Sequence, residues 1–408
     1  MRTIAIIDPY WTGHHATYVK LFSKTLLALG HRVMAFCPNP PEVEDWLAAN
    51  CAHDRTKFQG FELHDPVPPR FPYEPVQTAL TGLVMWRSAA QALKCAHRKT
   101  GIRPDLVFFL WLDNYLGHYR NRHVVDLLFP HDWAGLYFQP RHLRQYGHLS
   151  DIQGPPTDHD VELLSSRCRG VALLDEGVAD LLRARLTDKP VVVFPDVADA
   201  SPPDHDYPLL HDIVSKARGR RIISIIGGLA RRKGMFTLLE AASQMQQDDC
   251  FFLFAGVPSL TAEEETTLSE IIADSPENCF FHLGFIPGEA QFNALVEVSD
   301  VLYAAYENFP HSSNLLTKAA LFEKPVIVST GNCMGERVAA LRIGESIAGG
   351  NIAECIAAIR RLLTAHNAEW NFAGFRKLHS EERLSAAVEK ILAIPSEHKQ
   401  KRDRLWRS

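Results

Sequence analysis

One pattern recurs along the chain: a short apolar or β-branched run, a turn, then apolar residues three or four positions apart. Ile4–Ile7 is the first such run, and Asp8-Pro9 ends it. Val19, Phe22, Leu26 and Leu27 follow at helical spacing within Tyr18–Leu29, and Gly30-His31 closes that helix. Arg32–Phe36, Leu106–Leu110, Val124–Phe129, Val171–Leu174 and Val191–Phe194 read as further strands. Asp175 is placed to cap a helix from Glu176 to about Leu186. Strands that alternate with helices predict a mainly parallel sheet covered on both faces.

The pattern breaks at 196–220, where Pro202, Pro203 and Pro208 interrupt it, and then restarts. Strands are expected at Ile222–Ile226, Phe251–Ala255, Phe280–Phe281, Val301–Tyr303 and Val326–Val328. Helices are expected at Met235–Ala242, Asn314–Phe322 and about Ile352–Leu363. The fold class is therefore α/β with two similar domains, 1–200 and 201–375, followed by a helix and basic tail at 376–408. A length of 408 residues suits two cores better than one. Ligands of such sheets bind at the carboxyl ends of the strands, so chemistry is expected in a cleft between the domains.

Composition narrows the function classes. Hydrophobic residues make up 46% and charged residues 22%, ordinary for a globular protein. The 43 Lys+Arg against 48 Asp+Glu leave a net charge of −5, which argues against a dedicated nucleic-acid binder. Eight scattered cysteines without a CxxC pair read as reduced thiols of a cytoplasmic protein. Ile4–Ile7 is too short for a signal peptide or a membrane span.

Two segments carry most of the candidate chemistry. In 222–242 an apolar strand runs into Gly227-Gly228, then Arg231, Arg232, Lys233 and Gly234, then a helix. Glycines, a helix start and a cation together suit a phosphate, although an exposed basic turn would look the same. The segment is neither a Walker loop nor GxGxxG. In 300–329 Glu307 lies beyond a strand, and Ser312 and Ser313 stand where helix caps belong. Hydroxyls at a helix start can donate to phosphate oxygens, and a carboxylate can accept from sugar hydroxyls. Simple capping and a solvated acid are the plainer alternatives.

The order of these motifs resembles the donor-binding half of retaining GT-B glycosyltransferases of family four (glycosyl transferases group 1). The resemblance rests on Gly227-Gly228 with Arg231–Gly234, Phe254-Ala255-Gly256, His282–Pro287, Tyr306–Phe309 and Ser312–Pro325. Asp8–His15 and Gly30–Val33 are similar to the family's first Gly-rich turn and the strand after it. It implies two Rossmann-like domains facing across a cleft, and hexosyl transfer from a nucleotide-diphosphate sugar to an acceptor hydroxyl with retention. Lys233, helped by Arg232, would hold the diphosphate. Glu307 would face the sugar, and Asn308, Phe309, Ser312, Ser313 and Asn314 would line the diphosphate. Gly284 would lie near the base, and Gly13 would approach the donor phosphates from the other domain. A histidine after one N-terminal strand lies near the reacting sugar in the family. His131, after the strand expected at 124–129, is assigned that role, and Asp113 is its neighbour on the acceptor side. Lys318 stands where the family has a glutamate on the ribose hydroxyls, and a lysine cannot accept from them.

No cofactor is expected, and no DxD pair is placed to hold a metal. An NDP-sugar 2-epimerase on the same fold, or a degenerate chain that only binds, are the rival functions. The acceptor class stays open between glycan, lipid-linked and small molecules. Arg87, Lys94, Arg98, Lys99 and Arg103, and the tail Lys399–Arg407, are either solvated faces or a peripheral contact with the inner face of a membrane.

Overall fold

The computed structural model describes residues 1–117, 119, 121–145, 148–149, 160–274, 276–365 and 369–393. They divide into two compact units. The first takes Met1–Leu143, the stretch to Pro195 and the segment from Glu381. The second takes Asp196–Ser380 with a short hairpin that begins at Arg144.

The chain opens with β1 (Thr3–Ile7), α1 (His15–Ala28), β2 (Arg32–Cys37), α2 (Pro40–Asn50), β3 (Phe58–Glu62) and α3 (Glu74–Thr100). Next come β4 (Leu106–Phe109), α4 (His123–Leu128), β5 (Trp133–Tyr137), the hairpin strands β6 (Arg144–Gln145) and β7 (His148–Leu149), β8 (Cys168–Leu173), α5 (Glu176–Arg185) and β9 (Val191–Val193). The first unit's sheet has the order β3-β2-β1-β4-β5-β8-β9, and every pairing in it is parallel. Asp175 caps α5 by accepting from Gly177 N and Val178 N, as its place before that helix predicts.

One expected strand is a helix. Over 123–128, Val125 and the C-cap Phe129 are buried while Leu127 is 85% exposed, a spacing that belongs to a helical turn. The neighbouring strand is instead β5, whose five residues are all buried. Gly135 obscures β5 in the sequence, yet a Cβ there would lie 3.1 Å from Phe109 O and 3.2 Å from the Leu112 side chain.

The second unit runs α6 (Pro208–Ala217), β10 (Arg221–Ile226), α7 (Met235–Gln244), β11 (Cys250–Ala255), α8 (Ala262–Ala273), β12 (Cys279–His282), α9 (Glu289–Val298), β13 (Val301–Ala304) and α10 (Leu315–Leu321). It continues with β14 (Val326–Ser329), α11 (Asn332–Leu341), β15 (Gly344–Ile347), α12 (Ile352–Thr364) and α13 (Phe372–Leu378). The last helix, α14 (Glu381–Leu392), belongs to the first unit and packs on α1, β8 and β9. The second sheet, β12-β11-β10-β13-β14-β15, is again wholly parallel.

Strand order reverses at β1 in one sheet and at β10 in the other. Doubly wound sheets bind ligands at that switch point, beyond the carboxyl ends of the flanking strands. In these two sheets those ends lead into the loops after β1 and β4, and after β10 and β13. No described helix is long and apolar enough to cross a membrane. The basic residues Arg87, Lys94, Arg98 and Lys99 are exposed along α3, whereas Lys399–Arg407 lies outside the described residues.

Candidate active site

In the second unit the loops flanking the switch point are stitched together. β10 runs into Gly227-Gly228, and Arg231–Lys233 forms a single 3₁₀ turn before α7. Gly234 closes that turn at φ +74°, where a Cβ would sit 2.5 Å from Ala305 O. Only glycine lets this turn lie against the end of β13. Gly256 is tighter still: at φ +145° its Cβ would come 1.5 Å from Gly227 O. Part of what the sequence offered as glycine room for a ligand is thus close approach of backbone to backbone.

The Lys233 ammonium stands 3.8 Å from where a Cβ on Gly227 or Gly228 would be, so it hangs over both glycines. It also lies 5.4 Å from the Tyr306 ring centroid. Glu307 N donates to Arg232 O at 2.7 Å, which ties the basic turn to the acidic loop. Thr237 of α7 donates to Glu307 Oε1 at 3.1 Å and fixes a half-buried carboxylate. Arg232 is exposed and lies 5.6 Å from the Phe309 ring, while Arg231 pairs with Glu264 and covers Phe236. Of the two arginines, Arg232 is the one beside Lys233's loop. Asn308 is exposed at φ +52°, and Gly284 is half-buried in the loop after β12. Beside Gly284, the His282 Nε2 is buried with no hydrogen-bond partner among the described residues. Its signal in the sequence was its place at a strand end, as the first residue of the His282–Pro287 motif.

The two serines differ from each other. Ser312 is 6% exposed, donates to Asp196 Oδ2 and accepts from Arg337, so its proton is committed inside the unit. Ser313 accepts from Leu315 N at 3.4 Å, and Asn314 is the N-cap of α10 with no side-chain cap bond. Lys318 is 2% exposed. It donates to Asp199 O and Glu289 Oε2, each at 2.7 Å, and to Asn293 Oδ1. All three ammonium protons are taken within the unit.

In the first unit the structure corrects the premise for His131. The residue follows α4 and precedes β5, so it lies at the amino edge of the sheet, across from the switch-point loops. The residues beyond the carboxyl end of β5 are Phe138 and Gln139, neither a histidine. Asp113 does stand on the carboxyl edge, but its two oxygens accept from Phe138 N (2.8 Å) and Gln139 N (2.7 Å). It shapes that loop, and each oxygen keeps a further lone pair. Gly13 is exposed at φ +67° with open space around it.

What does occupy this edge is the pair Asp8 and His15. Asp8, 1% exposed at the end of β1, meets His15 Nδ1 at 2.8 Å. Burial raises the Asp8 carboxyl above its usual range, while the His15 bond pulls the other way. Around the pair lie Tyr10, His14, Trp111 and Phe138.

Residues 207–373 match the family model of glycosyl transferases group 1. No curated protein matches the chain. Among solved structures, Anabaena Alr3699/HepE in complex with UDP-glucose is similar with 14% identity and a TM-score of 0.62, over 96% of this chain and 100% of that one. Sucrose-phosphate synthase from Thermosynechococcus elongatus is similar with 18% identity and a TM-score of 0.60, over 100% and 98%. A putative UDP-N-acetylglucosamine 2-epimerase from Listeria monocytogenes is similar with 12% identity and a TM-score of 0.53, over 94% and 90%. At these identities the likeness is one of fold: two Rossmann-like α/β units of the GT-B type.

Proposed function

We propose that the second unit, which carries the glycosyl transferases group 1 domain, binds a nucleotide-diphosphate sugar, and that the chain moves the sugar to an acceptor hydroxyl. One observation carries this reading: the Lys233 ammonium stands above Gly227-Gly228 at the switch point, where the neighbouring Arg232 O accepts from Glu307 N. A cation there neutralises the charge that the diphosphate gains as it leaves. Arg232 adds a second positive charge, and Glu307 accepts from the sugar hydroxyls. Asn308, Phe309 and the Ser313-Asn314 backbone border the diphosphate, and Gly284 leaves room for the base. The Ser312 hydroxyl has no part in this, because Asp196 takes its proton.

Retention of anomeric configuration is the course that the motif resemblance implies, and NMR of the product tests it. The reaction is proposed to run without a bound metal, so activity in excess EDTA should equal activity without it. The acceptor is a glycan, a lipid-linked molecule or a small molecule. The exposed cations of α3 give a lipid-linked acceptor a surface to meet, and co-sedimentation with anionic vesicles tests that contact.

The decisive assay is nucleotide release from a panel of UDP- and GDP-sugars, with Lys233→Ala as control. Full activity in that variant would refute the phosphate assignment. The epimerase reading is kept because an epimerase shares the fold. It requires a 2-epimerised nucleotide sugar as product, with no transfer to an acceptor.

A further inference from the structure

We propose that Thr237 is a positioning residue for the donor sugar: its hydroxyl holds one oxygen of Glu307, so that the other is left for a sugar hydroxyl. The proposal rests on the transferase reading, lies wholly within the second unit, and gives Thr237 a part that the motif resemblance did not assign.

Thr237 lies in the first turn of α7 and is 6% exposed. A threonine in a helix commonly returns its hydroxyl to a carbonyl three or four residues back. Thr237 Oγ1 instead donates at 3.1 Å to Glu307 Oε1, 70 residues on. A hydroxyl has one proton to give, so this contact spends it. Both backbones are fixed. Gly234, at the entry to α7, packs on Ala305 O with no room for a Cβ, and Glu307 N donates to Arg232 O at 2.7 Å. With the backbones held, the Thr237 bond sets the remaining torsions of the carboxylate.

What the bond leaves free points to its purpose. Glu307 forms no ion pair among the described residues, although Arg232 and Lys233 lie on the turn that its own N–H meets. An ion pair would engage the carboxylate and occupy the cation that the diphosphate needs. A neutral hydroxyl holds the side chain and does neither. Oε2 has no hydrogen-bond partner among the described residues and stays open to solvent. The exposed turn Gly349-Gly350 borders the carboxylate with bare backbone, and a Cβ on Gly350 would stand 3.9 Å from Glu307 Cδ. No side chain of that turn competes for the free oxygen. A hydroxyl of the transferred hexose is the group that fits it.

The consequence is a difference between two ligands. UDP and UDP-glucose both bring a diphosphate to Lys233, but only UDP-glucose brings a hydroxyl to Glu307. A glutamate released from Thr237 regains its rotamer freedom, and the sugar must order it again. Loss of the Thr237 hydroxyl therefore acts on the sugar nucleotide and spares the free nucleotide. A bond with only a structural part would lower stability and leave the ratio of the two affinities unchanged.

The test uses the whole chain and isothermal calorimetry with UDP and UDP-glucose, or with GDP and GDP-mannose should the donor panel select guanine nucleotides. Thr237→Val keeps the shape and removes the proton. It should weaken the sugar nucleotide by about tenfold or more and the free nucleotide by less than about twofold. Thr237→Ser should restore the wild-type ratio. In a Glu307→Gln background, Thr237→Val should change the ratio no further. An unchanged ratio in Thr237→Val, an equal loss for both ligands, or a full second loss in the double variant would each overturn the proposal while leaving the transferase reading in place. A wild type that binds no nucleotide would bring down that reading and the positioning role together. The same double-mutant cycle in urea unfolding would then still decide the bond, since zero coupling between the two residues refutes it.

Discussion

Replacing Lys318 by methionine tests whether this residue is a ligand contact or an internal strut. The ammonium bridges α10 to α9 and to the chain that leads into α6. Methionine keeps the unbranched stem and removes the three protons. Asn293 is fully buried, and its Oδ1 loses a donor, which costs about 1–3 kcal/mol. Asp199 O keeps a longer bond from Asn293 Nδ2 at 3.4 Å, so it loses only part of its satisfaction. Glu289 is 33% exposed and regains water, which holds that loss to roughly 0–1 kcal/mol. Removing a buried charge offsets some of this. The net expectation is about 2–4 kcal/mol of lost stability, or a thermal transition lower by roughly 5–15 °C. Calorimetry of both proteins, with UDP titrated into each at a temperature where both are folded, reads the two quantities together. UDP affinity should stay within about threefold, under 1 kcal/mol. A variant as stable as the wild type that binds UDP tenfold or more weakly would refute the strut and make Lys318 a nucleotide contact.

Three further outcomes follow from buried or charged groups. Lys233→Ala should weaken UDP binding by about 1.5–3 kcal/mol, read by isothermal calorimetry; Arg231→Ala should change it little, because Arg231 already pairs with Glu264. Burial pushes the Glu162 carboxyl from 4.5 up to about 7, so between those values the native state holds a proton that the unfolded chain has lost, and stability falls as pH rises. Glu162→Gln should abolish that slope and recover about 3 kcal/mol above neutrality, measured by urea unfolding at pH near 5 and 8. His379 is pushed by burial, with Arg337 adding to it, from 6.5 down to about 3; its stabilisation is full above the higher value and is lost as pH falls through the window, roughly 4–5 kcal/mol in all. His379→Asn, whose Oδ1 can still accept from Asp196 N, should unfold less steeply in acid, and an unchanged acid transition would contradict the assignment.

The strands whose apolar runs are continuous were legible in the sequence, because a strand buried on both faces needs no alternation. β1, β10, β11 and β14 lie within a residue or two of where those runs fall. The Lys233 and Glu307 loops were legible for a related reason: each lies just beyond such a strand, and topology alone then brings them to one switch point. What failed was local and had a cause. Over 124–129 a valine-leucine run mimics a strand, and its helical burial shows only once Leu127 is seen in solvent. The true strand carries a glycine at 135 that only a close tertiary approach explains. That single slip carried His131 to the other edge, because a residue that follows the expected strand precedes the actual one and stands at its amino end. The contacts of Ser312 and Lys318 were hidden for a different reason. Their partners, Asp196, Asp199, Glu289 and Arg337, are distant in sequence, so no spacing rule reaches them. Asp8 and His15 sit seven residues apart across one turn, within reach of such a rule. A buried carboxylate ending the first strand and a histidine opening the first helix is therefore a pairing to seek wherever a doubly wound sheet begins this way, since both residues are delivered to the switch point by the backbone alone.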